Sequence, residues 1–142
     1  MLKNDAEYDF YVSFSTQEEV GLRGAKVVAY SVDPDAAIVI DGTTAADISG
    51  VADAQKVCSQ GEGAVVSFMD GATSYDVEYY RAALLNGSIK AQSKCAVAGG
   101  NNAGAIHQSR GGVRVVALSV PCRYIHTSGS TCDMRDVIAV RD

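Results

Sequence analysis

The sequence predicts an α/β fold with a mixed, largely parallel sheet flanked by helices. Residues 8–16 alternate apolar and polar side chains with a period of two, which is typical of a strand. Apolar residues recur at helical spacing over 20–29, and Pro34 ends that segment. The apolar run 36–41 is too short for a helix and therefore predicts a strand buried on both faces of a parallel sheet. Strand, helix and strand in this order indicate a crossover unit.

The rest of the chain continues the alternation of strands and helices. Thr73-x-x-Asp76 resembles a capping pattern and Gly87 is a stop signal, so a helix is expected between them. Pro121 is expected to end the last strand. The predicted elements are a glycine-punctuated loop over 43–63, a strand over 64–70, a helix over 73–86, a strand over 89–98, a turn and short helix within 99–112, and a strand over 113–121.

Composition sets limits on function. The chain has 142 residues, 47% of them hydrophobic, and a net charge of -5, as expected for one globular domain without a basic face for nucleic acid. Neither a membrane-spanning run nor an apolar leader is evident, so we expect a cytoplasmic protein with no membrane partner. The four cysteines form no C-x-x-C pair and are expected to be free thiols.

Acidic and histidine side chains follow the predicted strands. Glu18 and Glu19 come after the first strand, Asp41 ends the second, and His126 lies shortly after the strand over 113–121. Ligands of open α/β sheets bind outside the carboxyl ends of strands, so these side chains are expected at one edge. Carboxylates and imidazole suit zinc and related divalent ions. Because adjacent residues at a turn point in different directions, one glutamate can bind metal while the other transfers a proton.

Each of these residues also has a purely structural interpretation. Glu18 and Glu19 are acids of the kind that the dipole favours in the first turn of a helix. Asp41 is equally suited to cap a turn, and an isolated histidine such as His126 is commonly a structural residue. Their joint placement at strand ends is what favours a catalytic site.

Two sequence blocks resemble the glutamyl aminopeptidase, or tetrahedral (TET) aminopeptidase, family of dinuclear metallopeptidases, whose members also carry the names endoglucanase and cellulase M. The blocks are Q-E-E-V-G-x-R-G-A over 17–25 and R-Y-x-H over 123–126. The resemblance extends over nearly the whole chain and implies that residues 1–142 form one incomplete catalytic domain, its carboxyl-terminal part. It implies a hydrolase that removes amino-terminal residues from peptide substrates.

The resemblance also implies roles for single residues. Glu18 matches the general base of the family, Glu19 and His126 match ligands of one metal, and Asp41 matches a ligand of the other. The intact family enzyme uses two divalent ions, zinc or cobalt. The position of a family aspartate is taken by Asn102, which leaves the local charge or hydrogen-bonding role of that position open.

Some family features are missing from these residues. The family's His-x-Asp pair, its bridging aspartate and its dimerisation domain lie upstream of the Q-E-E block. Two divalent ions about 3.5 to 4 Å apart repel each other by roughly 20 kcal/mol at an effective dielectric constant near 20. Without the bridging carboxylate, at most one weakly bound metal and little peptidase activity are expected of this chain alone.

Three functional interpretations stay open at this point. The first is a metallo-aminopeptidase that works as a homo-oligomer or with a complementary fragment. The second is a non-catalytic interaction module that associates with full-length subunits. The third is an endoglucanase, which requires two carboxyl groups about 5 to 9.5 Å apart around the scissile bond and explains Glu18 and Glu19 less well.

Overall fold

The computed structural model describes residues 7–142 and confirms the predicted fold class. The elements are α1 (Arg23–Val32), β1 (Ala36–Thr44), a 3₁₀ turn (Asp53–Gln55), β2 (Ala64–Val66), α2 (Val77–Leu84), β3 (Ala91–Ser93), α3 (Ala103–Ile106), β4 (Arg114–Arg123), β5 (Thr131–Cys132) and α4 (Met134–Arg141). The five strands form one sheet of order β1-β4-β2-β3, with β5 paired to β4. The β1–β4 and β2–β3 pairs are parallel, whereas β2 and β5 run antiparallel to β4.

The main core lies between one face of the β1–β4 pair and the chain around α3. Val39 of β1 and Val115 and Ala117 of β4 are buried together with Tyr75 and Ala103. Each fully buried valine contributes about 1.5 kcal/mol or more relative to an exposed one. This cluster fixes the β1–β4 pair, which carries Asp41 in β1 and leads from β4 into the loop that contains His126.

The prediction that β1 is buried on both faces is wrong. Val39 is buried, whereas Ile38 and Ile40 on the opposite face are each 65% exposed. Successive strand residues point to opposite faces, and only one face of β1 is packed by the described residues. The strand also continues past Asp41 to Thr44, so Asp41 lies within the strand and not at its end.

The strand predicted over residues 8–16 is not formed. Residues 9–15 have no regular structure, and Phe10 and Phe14 are 76% and 93% exposed. A strand requires a neighbouring backbone to accept its hydrogen bonds, and alternation of side chains does not supply one. Within residues 7–142, no strand pairs with this segment.

Two boundaries also differ from the sequence prediction. The N-cap of α2 is Asp76 rather than Thr73, and its carboxylate accepts hydrogen bonds from the backbone N–H groups of Glu78 and Tyr79. β4 continues through Pro121 to Arg123. Pro121 is opposite Thr43 in the parallel ladder with β1. Because the carbonyl of the next residue, Cys122, points to the β1 side, the nitrogen of Pro121 points to the other side, between the residues of β4 that pair with β2 and those that pair with β5.

The last helix is joined to the loop before β2 through a buried carboxylate. Asp136 is 0% exposed and accepts hydrogen bonds from the backbone N–H groups of Gly61 at 2.7 Å and Gly63 at 2.8 Å. These bonds satisfy two backbone donors that would otherwise have no partner in the loop. Among residues 7–142, no helix is both long enough and apolar enough to cross a bilayer.

Candidate active site

A tight turn before α1 carries the two adjacent glutamates. The carbonyl of Glu18 accepts hydrogen bonds from the N–H groups of Gly21 at 3.2 Å and Leu22 at 3.0 Å. Gln17 and Leu22 have φ values of 59° and 56°, a left-handed conformation that non-glycine residues adopt rarely. Such backbone conformations persist where the surrounding structure holds them, and they are concentrated at functional sites.

Close packing of α1 against the preceding segment fixes this turn. The N–H of Gly24 donates to the carbonyl of Thr16 at 3.0 Å. A Cβ at Gly24 would lie 2.5 Å from both the backbone N and O of Thr16, so only glycine permits this approach. The glycine of the Q-E-E-V-G-x-R-G-A block therefore positions the glutamates relative to the helix.

The loop after β4 brings His126 to the second glutamate. Nδ1 of His126 lies 3.3 Å from Oε1 of Glu19, and both side chains are largely exposed. Tyr124 and His126 have φ values of 57° and 62°, so this loop also contains left-handed residues. A carboxylate from the turn before α1 and an imidazole from the other end of the chain therefore meet at this edge of the sheet.

Asp41 projects from β1, where it is in register with Ser119 of β4. Its Oδ1 accepts a hydrogen bond from the N–H of the adjacent Gly42 at 2.7 Å. The pKa of Glu18 is raised above its ordinary value, first by partial burial and then by the negative charges of Asp41 and Glu19, while His126 opposes the shift. Glu18 therefore experiences the charges of Asp41, Glu19 and His126, and Glu19 is in direct contact with His126.

The donor types fit a divalent metal, but the donors are few. Imidazole and carboxylate are ordinary zinc ligands, and Glu19 and His126 are already adjacent. Over the described range 7–142, no group of three or more His, Cys, Asp or Glu side chains is arranged to hold an ion. A catalytic zinc site has three protein ligands, so Glu19 and His126 by themselves are too few to form one.

Two contacts around the site were not anticipated from the sequence. Nδ2 of Asn102, at the start of α3, donates to Oγ of Ser15 at 3.0 Å and ties that helix to the chain leading to Glu18. The Oδ1 of Asn102 is buried and has no hydrogen-bond partner among residues 7–142. At the other side, Arg123 forms a two-pronged pair with Asp47, with distances of 2.7 and 2.8 Å. Arg123 belongs to the R-Y-x-H block, which singles out this residue but not its partner Asp47.

The Asp47–Arg123 pair is expected to make the free energy of unfolding depend on pH in the acidic range. The side chain of Asp47 is 8% exposed, and the hydrogen bonds from Arg123 lower the pKa of its carboxyl group to about 2 from the ordinary 3.8. The stabilisation is complete above about pH 5 and is lost progressively as pH falls through the folded pKa of about 2, because the unfolded chain binds the proton first. We expect the pair to contribute between about 1 and about 2 kcal/mol, reduced by the partial exposure of Arg123.

Urea unfolding of the wild type and of Asp47→Asn at pH 7 and at pH 2.5 measures this contribution. The difference in unfolding free energy between the two proteins should shrink at the lower pH. The exposed Asp35→Asn serves as the control and should differ little from the wild type at either pH. An Asp47→Asn difference that is equal at both pH values would contradict the assignment.

The fold of this chain is similar to that of several solved aminopeptidase structures. The aminopeptidase APDkam598 of Desulfurococcus kamchatkensis has a TM-score of 0.85 and 32% identity, covering 89% of this chain and 37% of that one. The TET1 peptidase of Pyrococcus horikoshii, described as assembling into a tetrahedron or a large octahedral shell, has a TM-score of 0.68 and 29% identity over 90% and 37%. An endoglucanase structure from Thermotoga maritima is 24% identical with a TM-score of 0.60, which supports the fold alone.

Sequence relatives agree with the structural ones. The lysyl aminopeptidase of Pyrococcus furiosus is 31% identical over 92% of this chain and 38% of its own length. A protein of Acetivibrio thermocellus that bears an aminopeptidase name is 36% identical over 91% and 39%. The chain therefore spans less than two fifths of the length of these relatives. The sequence model of the M42 glutamyl aminopeptidase family matches residues 1–142, and the chain belongs to that family.

Proposed function

We propose that this chain contributes the general base and part of the metal-binding shell of a metal-dependent aminopeptidase that removes amino-terminal residues from peptides. The observation that carries the proposal is the meeting of Glu19 and His126 at 3.3 Å beside the turn of Glu18. Membership of the M42 family supports the same reaction. Peptide substrates follow from the relatives' names and not from a substrate contact.

Glu19 and His126 are proposed to hold one divalent ion, zinc or cobalt, and Asp41 a second. When bound, such an ion polarises the scissile carbonyl and lowers the pKa of water. The contact between Glu19 and His126 presents an imidazole nitrogen and a carboxylate oxygen side by side, as ligands of one ion require. Asp41 projects from β1 and is assigned to the second ion by the resemblance to the family.

Glu18 is proposed to act as the general base. Its backbone is fixed by the turn, and its pKa is raised by burial and by the carboxylates of Asp41 and Glu19. A raised pKa makes the carboxylate a stronger base, so it takes a proton from the attacking water more readily. The same carboxyl group can then donate the proton to the leaving amine.

We further propose that a polypeptide of these 142 residues alone has little peptidase activity and binds at most one metal weakly. Glu19, Asp41 and His126 are too few to hold two ions without a carboxylate between them. Addition of a fragment that carries the family's His-x-Asp pair and bridging aspartate is expected to restore turnover of an aminoacyl p-nitroanilide. Full activity without that fragment would contradict this proposal.

A non-catalytic interaction module is the second candidate function. Exposed apolar side chains favour it, namely Phe10 and Phe14 before α1, and Ile38 and Ile40 on the open face of β1. Apolar surface of this kind promotes association with another polypeptide. A metal-free chain that co-elutes with a full-length subunit in size-exclusion chromatography would favour this candidate over the enzyme. Homo-oligomer formation is proposed on the same grounds.

Metal binding by histidine variants tests the ligand assignment. His126→Ala should lower the zinc or cobalt affinity of the chain by at least about tenfold, because even the loss of an outer-shell partner costs 10- to 100-fold. The matched control is His107→Ala, since Nδ1 of His107 lies 2.9 Å from the carbonyl of Ala103 in α3, away from the site. Isothermal titration calorimetry gives both affinities. Equal affinity in the wild type and His126→Ala would refute the assignment.

A further inference from the structure

Two cysteines face each other across the β4–β5 pair. Cys122 and Cys132 are directly opposed in the antiparallel register. All four cysteines of the chain are free thiols, as predicted, with Cys132 exposed and Cys122 partly buried. The segment between them, 123–131, contains His126.

Backbone hydrogen bonds show which kind of cross-strand pair this is. The carbonyl of Cys122 accepts from the N–H of Ala45 at 2.9 Å, on the β1 side of β4. The neighbouring carbonyl of Arg123 points the other way and accepts from Oγ of Ser130 at 3.3 Å. Since N–H and C=O of one strand residue point to the same side, Cys122 and Cys132 form a non-hydrogen-bonded pair.

Such pairs have the spacing that a disulfide needs. Directly opposed residues of the non-hydrogen-bonded type have Cα atoms about 4.5 Å apart, and their side chains leave the same face of the sheet. Disulfides span Cα separations of about 4.4 to 6.8 Å. The Sγ of Cys122 now contacts the carbonyl of Val120 at 3.4 Å, so rotation about its Cα–Cβ bond is the required movement.

We propose that Cys122 and Cys132 are a redox-sensitive dithiol that closes to a disulfide by exchange with a low-molecular-weight disulfide such as oxidised glutathione. The exposed Cys132 thiolate attacks the glutathione disulfide, forms a mixed disulfide and releases one glutathione thiolate. The Cys122 thiolate then attacks the Cys132 sulfur and releases the second. Two electrons pass from the protein thiols to the glutathione disulfide, and the two thiol protons pass to the released glutathione.

Closure restrains the loop that carries His126. The disulfide joins the two ends of segment 123–131, in which Tyr124 and His126 hold left-handed conformations. Ring closure by a disulfide restricts the conformations of the chain segment within the ring. Amide hydrogen exchange of segment 123–131 should therefore be slower after oxidation and return to its first value with dithiothreitol. An effect of oxidation on metal binding rests additionally on the proposed function, whereas the disulfide itself does not.

Mass spectrometry of the native chain in glutathione redox buffers tests the proposal. After acid quenching and alkylation, we expect loss of two hydrogens and a linked peptide that joins Cys122 to Cys132. The exposed Cys95 should carry a glutathione adduct instead, and Cys95→Ser should leave the Cys122–Cys132 link unchanged. Cys132→Ser should abolish the link and the loss of hydrogens.

A comparison between folded and unfolded chain keeps the test independent of any variant. In native buffer, the exchange equilibrium with glutathione should favour the Cys122–Cys132 disulfide at least about tenfold more than in urea, because the fold raises the effective concentration of one thiol at the other. Equal equilibria in the two solvents would overturn the proposal. Glutathione adducts on both cysteines without a link, in buffers that fully modify Cys95, would overturn it as well.

Discussion

Replacement of Glu18 by glutamine is expected to lower kcat about 10²- to 10⁴-fold in the assembly that hydrolyses aminoacyl p-nitroanilides, while metal binding is retained. Glutamine keeps the size of the side chain and leaves the backbone turn intact, because that turn uses the carbonyl of Glu18 and not its carboxylate. It cannot accept the proton of the attacking water. The loss should appear in kcat, since the proposed role is proton transfer and not substrate binding.

The matched control is Glu62→Gln, an exposed glutamate whose carboxylate pairs with Lys90 at 3.0 Å. It should leave both kcat and KM close to those of the unmodified assembly. Calorimetry of zinc binding to the Glu18→Gln chain is the second readout. A Glu18→Gln assembly that keeps wild-type kcat would rule out the proton-transfer role, and a variant that loses zinc would indicate a ligand instead.

Local patterns were sufficient to predict much of the architecture. The spacing of Ala25 and Ala29 predicts a helix, and both residues are buried on one side of α1. The short apolar runs around Val39 and Val115 predict strands, and these form the parallel β1–β4 pair. Such predictions succeed because the period of apolar residues reflects which face of an element is covered.

Features that depend on a distant partner could not be predicted in this way. Residues 8–16 have the alternation of a strand, yet the described structure supplies no neighbouring backbone for them. Ile38 and Ile40 belong to an apolar run, but their exposure depends on what covers that face of the sheet. The side-chain pattern of a segment reveals neither the strand that pairs with it nor the element that covers its face.

The candidate site likewise combines features that local patterns predict with features that depend on distant partners. Glu18, Glu19, Asp41 and His126 were singled out as residues that follow predicted strands, but residues 9–15 form no strand and Asp41 lies within β1. Glu19 and His126 are nevertheless in contact. The catalytic roles of the four residues are still predictions. The Asp47–Arg123 and Ser15–Asn102 contacts join residues far apart in the chain, so no local spacing reveals them.

Replacement of Gly63 by alanine is expected to destabilise the fold by about 3 kcal/mol or more. Gly63 has φ +90°, and a Cβ there would lie 2.0 Å from the carbonyl oxygen of Lys90. That carbonyl accepts the N–H of Ala64 at 3.0 Å, and the N–H of Gly63 donates to the buried Asp136 at 2.8 Å. Since the clash is with backbone, the chain must shift and weaken both the β2–β3 pairing and the attachment of α4.

Gly50→Ala separates this clash from the cost of the backbone angle. Gly50 has φ +88°, almost the same as Gly63, but a Cβ there would meet no atom of the described residues within 4 Å. It should cost only about 1 to 2 kcal/mol, which is the strain of a left-handed residue with a side chain. Urea unfolding at pH 7 gives both values, and their difference isolates the contact with Lys90. Equal destabilisation by the two substitutions would mean that the loop before β2 yields freely, and that Asp136 does not hold it in place.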